Sequence, residues 1–254
     1  MSGSNTSRSR GTIRRLNRRD RSRRPKGNMA PSLTIPENWS FQSGDVAKAF
    51  DQHVRISLPW YDFVTGAVAH FARAYIPADG VVVDVGASTG NIGRALAPTL
   101  KQRGADFRPI DNSPDMVAVY DGPGLLEIID ATAYDFESPP RPDLIICFLS
   151  LMFVPVGKRG ELIERMKSAL NPGGALLVVD KMIPRPGYVG TVAYRLTLAA
   201  KHEAGATANE IIAKELSISG VQRPMSESEL PGFVEFFRFG DFAGFVWEKQ
   251  AVEL

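Results

Sequence analysis

The segment Val81 to Gly93, VVVDVGASTGNIG, together with a second acid, Asp111, 27 residues beyond Asp84, constrains this chain more than any other feature. Val81, Val82 and Val83 form a β-branched run suited to a strand buried on both faces of a parallel sheet. Gly86 and Gly90 then let the backbone turn tightly and approach a ligand where a side chain would clash. Ile92, Leu96 and Leu100, four residues apart, mark the helix that follows. Asp111, in RPIDNSP, falls where the second strand of such a unit ends, the position that hydrogen-bonds ribose hydroxyls in doubly wound folds. The pair reads as a nucleoside-binding site. A glycine turn that merely joins a strand to a helix is the competing reading, and Asp111 argues against it.

At 254 residues and 44% hydrophobic content, the chain has material for one sizeable core plus a tail. No apolar run reaches the roughly 18 residues of a membrane span, so no membrane partner is expected and the expected location is the cytoplasm. The single cysteine, Cys147, excludes a disulfide within the chain and reads as a small core hydrophobe. His53, His70 and His202 lack metal-ligand spacing, and no metal is expected. The total charge of +2 hides an asymmetry. Residues 1–28 hold ten cations, from Arg8 to Lys26, against Asp20 alone; their net +9 leaves −7 for the remainder. Such a segment cannot fold alone and has the electrostatics of a nucleic-acid arm. Two other readings stand beside it, translation starting at Met29 and an arginine-rich transit peptide, although the segment lacks an amphipathic apolar face. The domain expectation is a disordered tail over 1–35 and a folded body over 36–254, with 183–232 as a helical insertion or lid.

Along the body, a helix is expected from near Ser43, carrying Phe50, Val54 and Leu58 until Pro59, and a second over Tyr61 to Tyr75. Strands are expected at Val81 to Val85, Phe107 to Ile110, Leu125 to Ile129, Asp143 to Leu149 and Ala175 to Asp180. Helices should fill Asn91 to Arg103, a stretch capped by Asp111 to Pro114, and Gly160 to Leu170. The insertion carries helical patterns at Val189 to Glu203 and Asn209 to Leu216, and Val234 to Phe239 with Phe242 to Glu248 reads as an antiparallel pair. Alternating βα units closed by a hairpin give an α/β fold: a seven-stranded mixed sheet with helices on both faces.

The turn order D-x-G-x-S-x-G, from Asp84 through Ser88 to Gly90, resembles motif I of class I S-adenosylmethionine-dependent methyltransferases, in which the acid and the loop backbone hold the methionine moiety. Asp130-Ala131 after the third strand, FLSLMF (Phe148 to Phe153) after the fourth and LNPGGAL (Leu170 to Leu176) before the fifth fit the same family. From Phe50 to Lys249 the chain is similar to the carboxy-S-adenosylmethionine synthase group, which makes the cofactor for a tRNA wobble-uridine modification; FDQHV, SLPWY, DVGASTG, IDNSP and FRFGDF carry the likeness.

The resemblance implies S-adenosylmethionine, or S-adenosylhomocysteine as bound product, held by Tyr61 at the amino-acid end and by Asp84, Gly86, Ala87, Ser88 and Gly90 at the methionine portion. It places Asp111 and Asn112 on the ribose, and Asp130 with Ala131 on the adenine. Phe148 stands where the family has an asparagine, so one cofactor or substrate contact is lost. The family's arginine for the extra carboxylate corresponds to Glu215, in AKELS; a glutamate would repel that carboxylate, and an acidic pocket suits the positive sulfonium of plain S-adenosylmethionine better.

The function expected is therefore methyl transfer to an unidentified acceptor, with catalytic residues unknown; His53, Tyr61 and Tyr194 are the candidates for a base. The alternatives are carboxyl transfer to the cofactor, a non-catalytic cofactor-binding adaptor whose tail holds nucleic acid, and more distantly a nicotinamide enzyme. Besides the cofactor, the partners expected are nucleic acid through residues 8–26 and a second copy of the chain in a homodimer.

Overall fold

Each expected helix and strand of the body takes shape in the computed structural model, which describes residues 34–251. The expectations for the arginine-rich segment, Arg8 to Lys26 and Met29 included, lie outside the described residues. In chain order the elements are α1 (Gly44–Ser57), α2 (Tyr61–Tyr75), β1 (Val81–Val85), α3 (Asn91–Arg103), β2 (Asp106–Asp111), α4 (Pro114–Val117), β3 (Glu127–Ile128) and β4 (Leu144–Phe148). They continue with α5 (Val156–Ala169), β5 (Ala175–Lys181), α6 (Tyr188–Glu203), α7 (Ala208–Ser217), β6 (Val234–Phe239) and β7 (Phe242–Glu248). The seven strands make one sheet in the order β3-β2-β1-β4-β5-β7-β6. β1 to β5 pair in parallel, and β7 runs antiparallel to both β5 and β6.

The period of two along each strand sorts side chains to the two faces of the sheet. Val82, Leu144, Ile146 and Leu177 pack with Val64 and Val68 of α2 and Leu96 of α3. Val83, Val85, Ile145 and Cys147 pack with Leu162, Ile163 and Met166 of α5 on the other face. β1, β4 and β5 are buried along their whole length, as continuous apolar runs in a covered parallel sheet must be.

Three boundaries depart from expectation. β3 is a two-residue edge strand paired to Ile110 and Asp111, and Leu125 is exposed instead of entering it, because among the described residues no further strand covers that edge. β4 stops at Phe148, since Leu149 takes a left-handed conformation (φ 59°) that turns the chain away from the sheet. α5 begins four residues early, directly after Pro155, whose fixed φ suits the N-terminal boundary of a helix.

The insertion is held in an unusual way. α6 turns Thr197 and Lys201 inward and leaves Tyr188, Val189, Val192 and Leu196 exposed. Thr197 Oγ1 donates to Asp241 Oδ1 (2.6 Å), and Lys201 Nζ pairs with Glu215 Oε1 of α7 (3.0 Å). Polar contacts, not an apolar stripe, fix this helix to the body. Among the described residues no helix is long and apolar enough to cross a membrane.

Candidate functional site

The parallel strands β1, β2 and β4 end together, and the loops that leave them enclose a cavity. Ligands bind at the carboxyl edge of an open α/β sheet because adjacent loops there diverge to opposite faces. Of the residues expected to hold the cofactor, Tyr61, Asp84, Gly86, Ala87, Ser88, Asp111, Asn112, Asp130, Ala131 and Phe148 all line this cavity. Gly90 does not. It adopts φ 90°, and a Cβ there would come within 3.0 Å of Gly122 Cα and Tyr120 Cε2, so its role is to let the turn close against a neighbouring loop.

The glycine turn is braced from behind by α1. Asp51, from the FDQHV segment, accepts from Thr89 Oγ1 (2.5 Å) and Asn91 Nδ2 (2.8 Å) and pairs with Arg94 (3.1 Å). In front, Gly86 lies so close to the loop after β4 that a Cβ would stand 2.8 Å from Ser150 Cβ. Ser88 is held at φ 52° while its N–H donates to Asp111 Oδ2 (2.9 Å). Asp111 Oδ1 accepts from Ser113 N (2.9 Å), so this carboxylate ties the first turn to the second. Asp130 accepts from the Thr132 N–H and hydroxyl, and Asn112 Nδ2 reaches its other oxygen at 3.3 Å.

The three acids differ in electrostatics. Asp84 is 1% exposed, its Oδ2 has no hydrogen-bond partner, and burial, with the nearby Asp111, pushes its pKa up to about 7. Burial also raises Asp111, outweighing donation from Ser113 and Ser88. At Asp130 burial works the other way from the result: donation from Thr132 and Asn112 and the charge of Lys158 outweigh it and hold the carboxyl below the usual range. An acid whose folded pKa is raised binds its proton more tightly folded than unfolded. Stability contributed at Asp84 is thus present below about pH 4 and declines as the pH rises towards about 7. Asp84→Asn is expected to flatten part of the fall in melting temperature over this window, measured by calorimetry without ligand. A fall of equal steepness in both proteins would show that Asp84 does not titrate there.

Of the candidate bases, only Tyr61 reaches the cavity, where its ring stands edge-on to Phe148 at 5.4 Å. Burial, then the charge of Asp51, pushes its phenol well above the usual range, which disfavours it as a base. His53 packs against Trp39 away from the cavity, with its pKa lowered to about 4 by burial and by Lys214 and Lys201. Tyr194, on α6, lies outside the cavity as well.

Glu215 corrects a simple repulsion argument: it is not an unopposed negative charge. Lys201 Nζ stands 3.0 Å and Lys181 Nζ 3.7 Å from its carboxylate, and Lys181 Nζ is also 3.8 Å from Asp241, so that two carboxylates offset two ammoniums. The network lies outside the cavity lining. Among the described residues the lining contains Asp84, Asp111 and Asp130 and no lysine, arginine or histidine.

Sequence reasoning missed the residues that shape the loop after β4. Asp180, buried at the end of β5, accepts from Met152 N (3.1 Å) and Lys181 N (3.0 Å), and burial raises its pKa to about 7. Arg159 of α5, with no exposed surface, donates to the carbonyls of Val154 (3.0 Å), Met152 (3.2 Å) and Arg223 (2.6 Å). An acid ending the apolar run LLVVD was the available signal for Asp180. Nothing in the spacing around Arg159 distinguishes it from a surface arginine.

A methyltransferase-domain family matches residues 82–174, the stretch from β1 to the turn before β5. A carboxy-S-adenosyl-L-methionine synthase from Staphylococcus epidermidis is 30% identical over 226 residues, covering 84% of this chain and 98% of that protein. The same enzyme from Trichodesmium erythraeum is 30% identical over 204 residues, 76% of this chain and 78% of its own. Among solved structures, an O-methyltransferase family protein from Burkholderia thailandensis aligns over 82% of this chain and 61% of its own, with a TM-score of 0.49 and 18% identity.

Proposed function

Because this chain belongs to the carboxy-S-adenosyl-L-methionine synthase family of S-adenosylmethionine-dependent methyltransferases, we propose that its β1–β2–β4 cavity holds S-adenosylmethionine and serves methyl transfer, without the carboxyl transfer for which its relatives are named. The observation that carries this reading is a lining that, among the described residues, has three carboxyl groups and no cationic side chain. A carboxylated cofactor would bring an extra anion into that field with no counter-charge to meet it. A positive sulfonium and ammonium suit it.

The residues present fit the cofactor. The Gly86 cradle admits a group that a Cβ would exclude, and the buried Asp84 carboxyl offers an oxygen that no group among the described residues satisfies. Asp84, Gly86 and Ser88 would face the amino-acid portion, Asp111 and Asn112 the ribose, and Asp130 with Ala131 the adenine. When bound, the cofactor supplies a methyl group already activated by positive charge. The chain's own part is alignment and exclusion of water by the aromatic residues of the lining, Tyr61, Phe148 and Phe50 among them. With Tyr61 protonated and His53 and Tyr194 outside the cavity, the reading favours an acceptor that arrives already nucleophilic, such as an amine, a thiolate or a phenolate.

The test is incubation with S-adenosylmethionine and prephenate followed by mass analysis of the extracted cofactor. No carboxyl mass increment is expected; its appearance would overturn the reading in favour of the activity in the relatives' name. The arginine-rich segment is proposed as a nucleic-acid arm, on the support of its charge alone. Deleting residues 1–28 is expected to abolish salt-sensitive retention on nucleic acid while sparing cofactor binding; retention that survives the deletion would refute the proposal. A homodimer is proposed through the exposed apolar residues of α6, and ultracentrifugation showing a monomer would refute that.

A further inference from the structure

The segment just before α1 is built into the cavity. Phe41 is one of the cavity-lining residues. Its ring stands edge-on to Phe153 at 4.9 Å and to Phe50 at 6.3 Å, both of which also line the cavity. The Phe41 carbonyl accepts from Ser113 Oγ (2.6 Å), and Gln42 Nε2 donates to the carbonyl of Asn112 (3.1 Å). These partners directly follow Asp111, whose carboxylate holds Ser113 N.

Two residues earlier the strap is anchored again. Trp39 is buried with Val46, Ala47, Met116 and Ile218, and its backbone N–H donates to the carbonyl of Ser217 at the end of α7 (3.0 Å). Met116 itself lines the cavity and accepts weakly from Ser88 Oγ at 3.6 Å. The strap is thus fixed to the segment expected to hold the ribose and to the insertion at once.

On the reading that this cavity takes an S-adenosyl cofactor, we infer that Phe41 is a further cofactor-binding residue, and that the strap Trp39–Gln42 roofs the nucleoside end of the site. Beside Phe41 the lining holds the apolar residues Ile129, Phe153 and Val154, and Asp130 belongs to the same lining. An aromatic ring in such an apolar, aromatic lining suits a flat heteroaromatic base, with Asp130 left for an exocyclic amino group. Departure of the nucleoside then requires Phe41 to leave its seat, which places the contribution of the ring mainly in the dissociation rate.

The experiment compares the full chain with Phe41→Ala and Phe41→Leu, using S-adenosylhomocysteine and methylthioadenosine as probes in calorimetry and stopped-flow dissociation. Phe41 is only half-buried, so both variants are expected to melt close to the parent without ligand. Phe41→Ala is expected to weaken both probes by tenfold or more and in like proportion, because both carry the nucleoside, with most of the change in faster dissociation; Phe41→Leu should fall between. Unchanged affinity and dissociation in Phe41→Ala, with the parent binding normally, would overturn the roof while leaving the cofactor reading intact. Failure of the parent to bind either probe would overturn the cofactor reading and the roof with it.

Discussion

Gly86→Val is expected to lose S-adenosylhomocysteine binding by at least about 100-fold, equivalent to about 2.7 kcal/mol, in calorimetric titration. Two effects act at this one position. Its φ of 76° lies in the left-handed region, where an L side chain costs about 1–2 kcal/mol and a β-branched one strains most. Its Cβ would also stand 2.8 Å from Ser150 Cβ, on the wall where the cofactor's amino-acid end is proposed to lie. The loop after β4 cannot retreat freely, because Asp180 holds Met152 N and Arg159 holds the carbonyls of Met152 and Val154. Gly173→Ala is the control: it has a similar φ of 80° with nothing near the added Cβ, so it should carry the strain and leave binding intact. If Gly86→Val binds as tightly as the parent, the cradle is not where the cofactor sits.

Arg159→Met should destabilise the fold by about 3–5 kcal/mol, lowering the melting temperature by roughly 10 °C. The substitution keeps much of the volume and removes the fork. The carbonyls of Met152, Val154 and Arg223 would lose a charged donor in a site closed to water, and each unsatisfied group costs about 1–3 kcal/mol unless the loop opens to solvent. Glu229, 3.4 Å from Nη1, would lose its partner too. Val154 and Phe153 line the cavity, so S-adenosylhomocysteine binding is expected to weaken alongside stability. A melting temperature within about 2 °C of the parent would show that these carbonyls find other donors and that Arg159 is dispensable.

Local patterns in the sequence carried the frame of this molecule a long way. The four-residue spacing of Ile92, Leu96 and Leu100 and the flanking glycines Gly90 and Gly104 bound α3 at its observed ends. The Gly240-Asp241 turn likewise delimits β6 and β7. Hydrophobic periodicity and turn chemistry are short-range signals, and these elements are decided at short range. The cavity's loop residues were legible for a related reason: they follow strand ends, and strand ends are easy to place.

What escaped is long-range. Phe41 sits in a segment with no periodicity, and only the fold brings it against Phe153, 112 residues later. The pairing of Glu215 with Lys181 and Lys201 joins three elements, so its charge looked unopposed in the sequence. His53 and Tyr194 were plausible bases by residue type, yet α1 and α6 turn them away from the cavity. Cys147 needed no such help: burial raises its thiol well above the usual range, as expected of a core residue inside an apolar run.

Native mass spectrometry of the full chain, mixed separately with S-adenosylmethionine, S-adenosylhomocysteine and NAD, tests the central claim most directly. One equivalent of S-adenosylmethionine or S-adenosylhomocysteine should be retained by the parent and lost in Gly86→Val, with no retention of NAD. Retention of NAD instead, or of a carboxylated cofactor in preference to the plain one, would contradict the acidic cavity as a site for S-adenosylmethionine.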